Sequence, residues 1–582
     1  MPPTLPAGKS AQGGAQRAES TLYWYNRSMT INETVEVESK FEVDEHTPPP
    51  SPDAFAPLVA DTPVQHELSA VYFDTADLSL TRHKVTLRRR TGGDDEGWHL
   101  KLPAREGRVE LHAPLGEGEP RDEVPPQELI AAVAGLVRRR TLDPIARIDN
   151  QRQVLTLRDP DGVAVIEFCD DRVSTRSFIA GGATAGWREW EAELVDPARP
   201  NAHDHLAAVA TACTDAGATT SSSSKLARTL GPLPEAYERG VSPVRDALTQ
   251  DLQQLLDHDP AARRVTMVGV HQMRVAIRGL RSTISTYADE LAAETTGTDI
   301  APAGILDELK ILAAVLGKVR DIQVVDERIT SLVAGYPDNV VSPQTRHRLR
   351  VELDFEEDRA GKRVTAALNS DRYLDLIDRL HELVSVAGTG SAATEPATAE
   401  DEKSTQGRKK RRSRESMILR GVDRQFREFS TVRTRTERDL ASLDLTLAQR
   451  EELTHVVRKR AKALRRNISA LPNSDDLTVA PLRTACDRLH TVLGEVQDSV
   501  TTRQWIRRIA RRAESAGEST FGLGVIFEHE RGFSERTLEG FESDAAAVTA
   551  AYHELSASRR TAQKRTKKTG KKKNKKKKSD GK

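Results

Sequence analysis

The stretch "TVEVESKFEV", residues 34–43, decides how the N-terminal part of the chain is read. As a β-strand it alternates its side chains between two faces. Glu36, Glu38 and Lys40 then share one face, and Val35, Val37, Phe41 and Val43 share the other. A half-exposed strand with its polar row in water gives such a pattern. So does a site that holds a divalent cation and an anion together. The rest of the chain has to choose.

The pattern recurs. In "VTLRRR" (85–90), Arg88 and Arg90 share a face, and in "GWHLKLPA" (97–104), Lys101 alternates with Leu100 and Leu102. "NQRQVLTL" (150–157) brings Arg152, with Arg147 competing for the same role. "AVIEFCDD" (164–171) runs an apolar strand into Asp170, and "WREWEAELV" (187–195) lines up Glu189, Glu191 and Glu193 opposite Trp190 and Leu194. "SSSSKLARTL" (221–230) adds Lys225 and Arg228. A sheet closed on itself would point one such face of every strand inward. Like charges there would be costly without counter-charges or ions. Carboxylates mixed with Lys and Arg suit a hard cation, Mg²⁺ or Mn²⁺, bridged to a polyphosphate.

Taken together, these motifs resemble the CYTH superfamily, the triphosphate tunnel metalloenzymes. "EVESK" is similar to the ExExK signature of that family. "YFDT" (72–75), "TLRRR", "LKLP", "RVE" (108–110), "FCDDRV" (168–173), "EAEL" (191–194) and "SKLAR" (224–228) follow in family order, over about residues 30–232. The resemblance implies an eight-stranded antiparallel tunnel and a metal-dependent inorganic triphosphatase that hydrolyses tripolyphosphate. It implies Glu36, Glu38 and Lys40 as catalytic residues. Metal would lie on Glu36, Glu38, Asp170, Glu191 and Glu193, and the triphosphate on Lys40, Arg88, Arg90, Lys101, Arg152 and Lys225. Tyr72, Phe73 and Asp74 are expected in strand core and turn, and Glu189 and Arg228 as either solvent-facing or structural. Nucleotide or thiamine triphosphatase and adenylate cyclase activities belong to the same fold. A catalytically silent polyphosphate-binding scaffold is the alternative from another class.

From about residue 240 the pattern changes to long amphipathic helices. "HQMRVAIRGLR" places His271, Arg274, Arg278 and Arg281 at offsets 0, 3, 7 and 10. "HVVRKRAKALR" places His455, Arg458, Lys462 and Arg465 at the same offsets, 184 residues later. "LGKVRD" (316–321) is echoed by "LGEVQD" (493–498), with Gln497 in place of Arg320. Those offsets share one helical face. Spacing, residue type and order all recur, so two copies of one helical unit, packed as one pseudo-symmetric domain, are expected. Each cationic row is either a solvated face or part of a channel for a linear polyanion. The repeat resembles the CHAD family, conserved histidine α-helical domains, often fused to CYTH domains. That resemblance covers about 240–553 and implies a helical bundle that binds inorganic polyphosphate. Arg359, Lys362 and Arg363 of "RAGKRV" would be further contacts.

The expected architecture is therefore α+β and multidomain. Residues 1–28 are expected to be a disordered extension, with Met29 as an alternative start. A tunnel domain spans 29–232 and a helical domain 240–553, interrupted by a low-complexity linker at 385–416. A lysine-rich tail at 557–582 is expected to be disordered. Within it, residues 562–582 hold twelve basic residues and one acid. The whole chain has 87 of each, so the rest carries 75 basic and 86 acidic, a net of −11. Such a tail suits polyanions. Aromatics make up only 4 % of the chain, and few lie among the basic residues, so base stacking with nucleic acid has little support. Three scattered cysteines build neither a disulfide framework nor a zinc site, which fits a reducing compartment. The expectation is a cytoplasmic protein, associated with polyphosphate granules, that spans no membrane.

Overall fold

The computed structural model describes residues 32–115, 124–179, 182–233, 243–387, 405–441, 444–469 and 479–579. Its strands are β1 (Asn32–Glu36), β2 (Glu38–Val43), β3 (Val59–Ala60), β4 (Val64–Asp74), β5 (Thr86–Thr91) and β6 (Gly97–Pro103). β7 (Arg108–Ala113), β8 (Asp143–Arg158), β9 (Ala164–Ser177), β10 (Thr184–Leu194) and β11 (Thr219–Ser221) complete the set.

The opening stretch closes the sheet. Its strand breaks at Val37, whose carbonyl accepts from the Leu194 amide at 2.9 Å. Upstream of the break β1 pairs with β7, and downstream β2 pairs with β10, both antiparallel. The sheet order runs β1-β7-β6-β5-β4-β8-β9-β10-β2-β11. One broken strand thus belongs to both edges. With β1 and β2 taken as one, eight strands ring the interior, and the expected antiparallel tunnel is present.

The apolar rows face outward. Phe41, Phe168, Trp190 and Ala192 are buried against Leu206, Val209 and Cys213 of the helix Ala202–Asp215. A short helix α1 (Lys225–Leu230) starts where the Ser224 hydroxyl accepts from the Ala227 amide at 3.1 Å. Leu226 packs with Tyr72, Ile148 and Val173, and this sets Lys225 into the tunnel.

Further helices are α2 (Pro243–Asp257), α3 (Asp259–Arg263), α4 (Met267–Thr286), α5 (Pro302–Ala334), α6 (Pro343–Leu368) and α7 (Asp371–Val386). They continue as α8 (Thr405–Leu440), α9 (Leu447–Ser469), α10 (Ala480–Ser515), α11 (Phe521–Glu539) and α12 (Phe541–Ser579). No helix among the described residues is long and apolar enough to cross a membrane.

Compactness does not follow the strand-to-helix divide. One unit holds the tunnel, the helices up to Arg320 and the chain from Asp358 through α7. The other holds Asp321–Glu357 and the described chain from α8 onward. Inside the first unit the tunnel is fastened to helices. Arg263 bonds the Asp259 carboxylate at 2.6 Å and the carbonyls of Leu368 at 2.7 Å and Ala131 at 3.2 Å. A Cβ at Gly135 would lie 2.4 Å from Asp259 Oδ2, so only glycine admits this approach. Arg264 pairs with Glu33 of β1. A composition shift marks a change of secondary structure. It carries no information about which faces fit together. The second unit has cores of its own, one around Val422, Phe429, Leu464, Leu489 and Leu555, another around Ile329, Leu353, Ile509 and Ile526.

Two expected boundaries change. The linker set at 385–416 is shorter, because α7 ends at Val386 and α8 begins at Thr405. The tail assigned to disorder from 557 continues α12 as far as Ser579. Lysine is a good helix former and no proline follows residue 557, so Gly570 is the weakest helix former before Ser579. The extension at 1–28 and Met29 lies outside the described residues.

Candidate active site

The tunnel encloses a cavity of about 690 Å³. Glu36, Glu38, Lys40, Arg88, Arg90, Lys101, Arg152, Glu191, Glu193 and Lys225 all line it. Strand parity brings them together: on each strand the charged alternate residues turn inward. Register then sets the neighbours. Glu191 faces Lys40, Glu193 faces Glu38, and Tyr72 faces Arg88.

Asp170 is the exception and corrects the expected metal set. β9 stays in unbroken register with β10 from Ile166 to Arg176, so no bulge turns Asp170 inward. It keeps the outward face of Ile166 and Phe168 and forms a buried pair with Arg188, at 2.8 and 2.7 Å. Its neighbour Asp171 faces the tunnel bases instead. Asp171 bonds Arg152 at 2.8 and 2.6 Å and lies 2.9 Å from Lys225. The parity of Ile166 and Phe168 was the signal that could have selected it. Arg147 is exposed and pairs with Asp149 at 3.1 Å, which leaves the role to Arg152. Glu189 is buried 2.6 Å from Lys225, and Arg228 stacks over the Trp187 ring outside the cavity lining. Tyr72 lines the cavity as well as packing in the core.

Sequence reasoning also passed over Glu110 and His99. Glu110 faces Lys101 across β6 and β7 and lies 2.7 Å from His99 Nδ1. Burial raises the cost of its charge, yet Lys101, His99 and Arg88 hold its carboxyl far below the usual range. "RVE" marked its place. Nothing in the alternation of β7 singles out an acid as structural or functional.

The acids fall into two groups. Oxygens of Asp171, Glu189 and Glu191 lie within 4.8 Å of one another, close enough to share a cation. They already face bases, because Lys225 is 2.9, 2.6 and 2.8 Å from the three. Burial opposes the ionisation of Asp171 and Glu191, but Arg152, Lys225 and, for Glu191, Lys40 hold both carboxyls below their usual range. Glu36 and Glu193 are different, and Glu38 beside them has Lys40 at 2.8 Å. Lys101 bonds both Glu36 oxygens, at 2.6 and 2.7 Å. Even so, burial and the hydrogen bond with Glu110 push Glu36 up to about 8. Burial, with Glu38 and Glu191 nearby, also raises Glu193. Carboxylates crowded with too little positive charge are hard oxygen donors that a divalent cation would satisfy. By this test the residues fit a metal, with Glu36 and Glu193 the donors short of positive charge and Glu38 directly across from Glu193. A cation on the triad would have to displace Lys225.

The opposite imbalance occurs at Arg90. Burial and the charge of Arg88 push Arg90 down to about 9. Arg88 itself is 3.8 Å from Glu110.

In the helical region the two rows can be compared one at a time. α4 begins at a Thr266 cap, with His271 and Arg278 exposed and Arg274 half-buried. Burial, then Arg320, Arg278 and Arg274, lower the His271 imidazole, so these cations stand close together. The Arg274 guanidinium lies over Gly317 and donates to the Ala313 carbonyl at 3.4 Å. A Cβ at 317 would come within 2.6 Å of Arg274 Nη1. In the other half, Arg458 lies over Gly494, whose Cβ would stand 3.5 Å from Nη2. The repeated "LG" is thus the floor beneath the repeated arginine in both halves. His455 is hydrogen-bonded to Gln497 and lowered by burial and by Lys459 and Arg458. His490, which sequence reasoning missed, is pushed down to about 4 by burial and by Arg458, Arg465 and Lys462. Arg465 pairs with Asp487. Arg281 is half-buried on α4. Arg359, Lys362 and Arg363 are exposed on α6, with Lys362 2.8 Å from Asp358.

Residues 34–180 match the CYTH domain and residues 246–507 match the CHAD domain. The chain belongs to the CYTH–CHAD proteins. An uncharacterised protein of Mycobacterium tuberculosis, strain H37Rv, is 34 % identical over 527 residues, or 88 % of this chain and 95 % of that one. One from strain CDC 1551 / Oshkosh matches equally. Among solved structures, the CHAD domain of the plant Ricinus communis is 17 % identical, covers 55 % of this chain and 94 % of its own, and has a TM-score of 0.35. PptA from Streptomyces chartreusis is 17 % identical, with 52 % and 97 % covered and a TM-score of 0.34. A Hippeastrum protein described as a putative adenylyl cyclase with a dominant triphosphatase activity is 20 % identical, with 35 % and 100 % covered and a TM-score of 0.20. In this chain the CYTH tunnel runs beyond the matched segment, since β10 and α1 supply Glu191, Glu193 and Lys225.

Proposed function

We propose that the CYTH tunnel is a metal-dependent inorganic triphosphatase acting on tripolyphosphate, and that the CHAD helices bind inorganic polyphosphate. One observation carries the reading. A single cavity brings six bases, Lys40, Arg88, Arg90, Lys101, Arg152 and Lys225, together with the carboxylates Glu36, Glu38, Glu191 and Glu193. A triphosphate bound with a divalent cation offers partners to both sets of charge.

Arg88, Arg90 and Arg152, with Lys40, Lys101 and Lys225, would grip the phosphoryl oxygens and hold the chain extended. Glu36, Glu38 and Glu193 would hold Mg²⁺ or Mn²⁺, and Asp171 and Glu191 would fix the orientation of Arg152 and Lys225. The cation would neutralise phosphoryl charge and lower the barrier to attack by water. The protein's larger contribution is electrostatic: bases already placed where charge must be neutralised need no reorganisation during the reaction.

A phosphate-release panel tests the substrate. Tripolyphosphate, pyrophosphate, ATP, thiamine triphosphate and long-chain polyphosphate are offered with Mg²⁺ or Mn²⁺, and tripolyphosphate should be turned over fastest. Preference for ATP or thiamine triphosphate would redirect the reading to a nucleotide or thiamine triphosphatase on the same fold. Release from none of them would leave a binding scaffold. In the same assay Arg88→Ala and Lys101→Ala should each weaken kcat/KM by about 1.5–3 kcal/mol, the range of hydrogen bonds to charged groups. Long-chain binding should not change.

The glycine floor gives a second test. Gly317→Ala should push the flexible end of Arg274 aside at little cost to stability. Polyphosphate affinity should then fall about as far as in Arg274→Ala, and the double variant should add little more. Additive losses, read by calorimetric titration, would show that Gly317 does not act through Arg274.

A further inference from the structure

Arg90 differs from the other tunnel bases in the source of its counter-charge. Lys40, Lys101, Arg88 and Arg152 pair with carboxylates on the tunnel strands, and Lys225 with three of them. Arg90 pairs with Asp95, which lies on the loop "TGGDDEG" (91–97) between β5 and β6. The Asp95 side chain is 62 % exposed, whereas that of Arg90 is 8 % exposed. Gly93, Asp94 and Asp95 line the cavity, so the pair sits where the cavity meets solvent.

The loop is held in place by its backbone. His99 Nε2 lies 3.0 Å from the Asp95 carbonyl oxygen. Gly92 has φ 83°, and a Cβ there would stand 2.1 Å from the Glu67 carbonyl oxygen. The chain is therefore fixed close to β4 while the Asp95 carboxylate stays free to leave Arg90. A carboxylate and a phosphoryl group offer a guanidinium the same pair of oxygens. Asp95 holds the Nη2 edge of Arg90, and a phosphoryl group that approaches the same edge has to displace it.

We propose that Asp95 is a specificity-determining residue of the tunnel. It competes with the terminal phosphate of the substrate for Arg90, and with Asp94 it repels any further phosphates of a longer chain at this mouth. This rests on the triphosphatase reading and adds a chain-length limit to it. A short chain gains Arg90 by displacing one exposed carboxylate. A long chain must also run its remaining charges past Asp94 and the displaced Asp95.

The test is steady-state hydrolysis by the full chain with Mg²⁺, using tripolyphosphate and long-chain polyphosphate as substrates. Asp95→Asn keeps the backbone contact to His99 and removes the competing charge. KM for tripolyphosphate should fall by up to about fivefold, the span of an exposed ion pair, with kcat little changed. In Asp94→Asn/Asp95→Asn the preference for tripolyphosphate over long chains should narrow by a similar factor. A residue that merely shaped the loop would raise KM or lower stability when replaced. Unchanged KM in the single variant, together with an unchanged chain-length preference in the double variant, overturns the proposal alone. A wild-type protein that releases no phosphate from tripolyphosphate overturns the triphosphatase reading, and this inference falls with it.

Discussion

Glu36→Gln and Glu38→Gln should each reduce tripolyphosphate hydrolysis by on the order of a hundredfold or more, while the protein stays folded. The two effects separate for a physical reason. Glu36 and Glu38 stand on the inner face of the seam strand, and the core-forming residues of that strand, such as Phe41, stand on the other. Replacing a carboxylate by an amide removes charge and keeps shape. Burial already pushes the Glu36 carboxyl up to about 8, so a neutral group there is no worse a guest for the fold. Thermal melting should therefore be close to that of the unmodified protein. Full activity in both variants with metal present would sink the metal-site reading. Loss of activity together with loss of folding would move these residues from chemistry to structure.

Replacing Arg274, Arg278, Arg458 and Lys462 with Ala should strip polyphosphate binding and spare tripolyphosphate hydrolysis. Charges in a row act together on a linear anion, so affinity should fall steeply with salt as counterions are released. The lysine-rich end of α12 is the competing source of affinity. A chain ending near residue 556 removes those lysines and keeps Leu555, which is buried in the core of the second unit. If that shortened protein, with all four basic residues intact, binds no polyphosphate, the rows are only solvated faces and the lysines carry the affinity.

How much was legible in the sequence depended on whether the signal was local. Alternation in Glu36–Lys40, Arg88–Arg90 and Glu189–Glu193 is a property of one strand, and it gave the tunnel's inward faces correctly. The duplicated His-x-x-Arg spacing is likewise local to one helix. Asp170 shows where a motif misleads, because "FCDD" offers two adjacent acids. Strand parity puts Asp171 inward, and only an irregularity between Ile166 and Asp170, where β9 has none, would have favoured Asp170. Gly317 and Gly494 were visible as an echo, but what they do requires a second helix lying over them. The fastening of the tunnel to helices through Arg263, Gly135 and the Glu33–Arg264 pair was not legible. It depends on surfaces brought together from distant parts of the chain. The break at Val37 that closes the sheet leaves no mark in an otherwise continuous strand pattern.

The central claim is that triphosphate chemistry in this tunnel depends on a cation held by its acidic wall. The direct measurement is phosphate release from tripolyphosphate by protein stripped of divalent metal, before and after Mg²⁺ or Mn²⁺ is restored, with the Glu38→Gln variant alongside. Release should fall to background on stripping and return on addition in the unmodified protein, and fail to return in the variant. Undiminished release without metal, or equal restoration in both proteins, would contradict the claim.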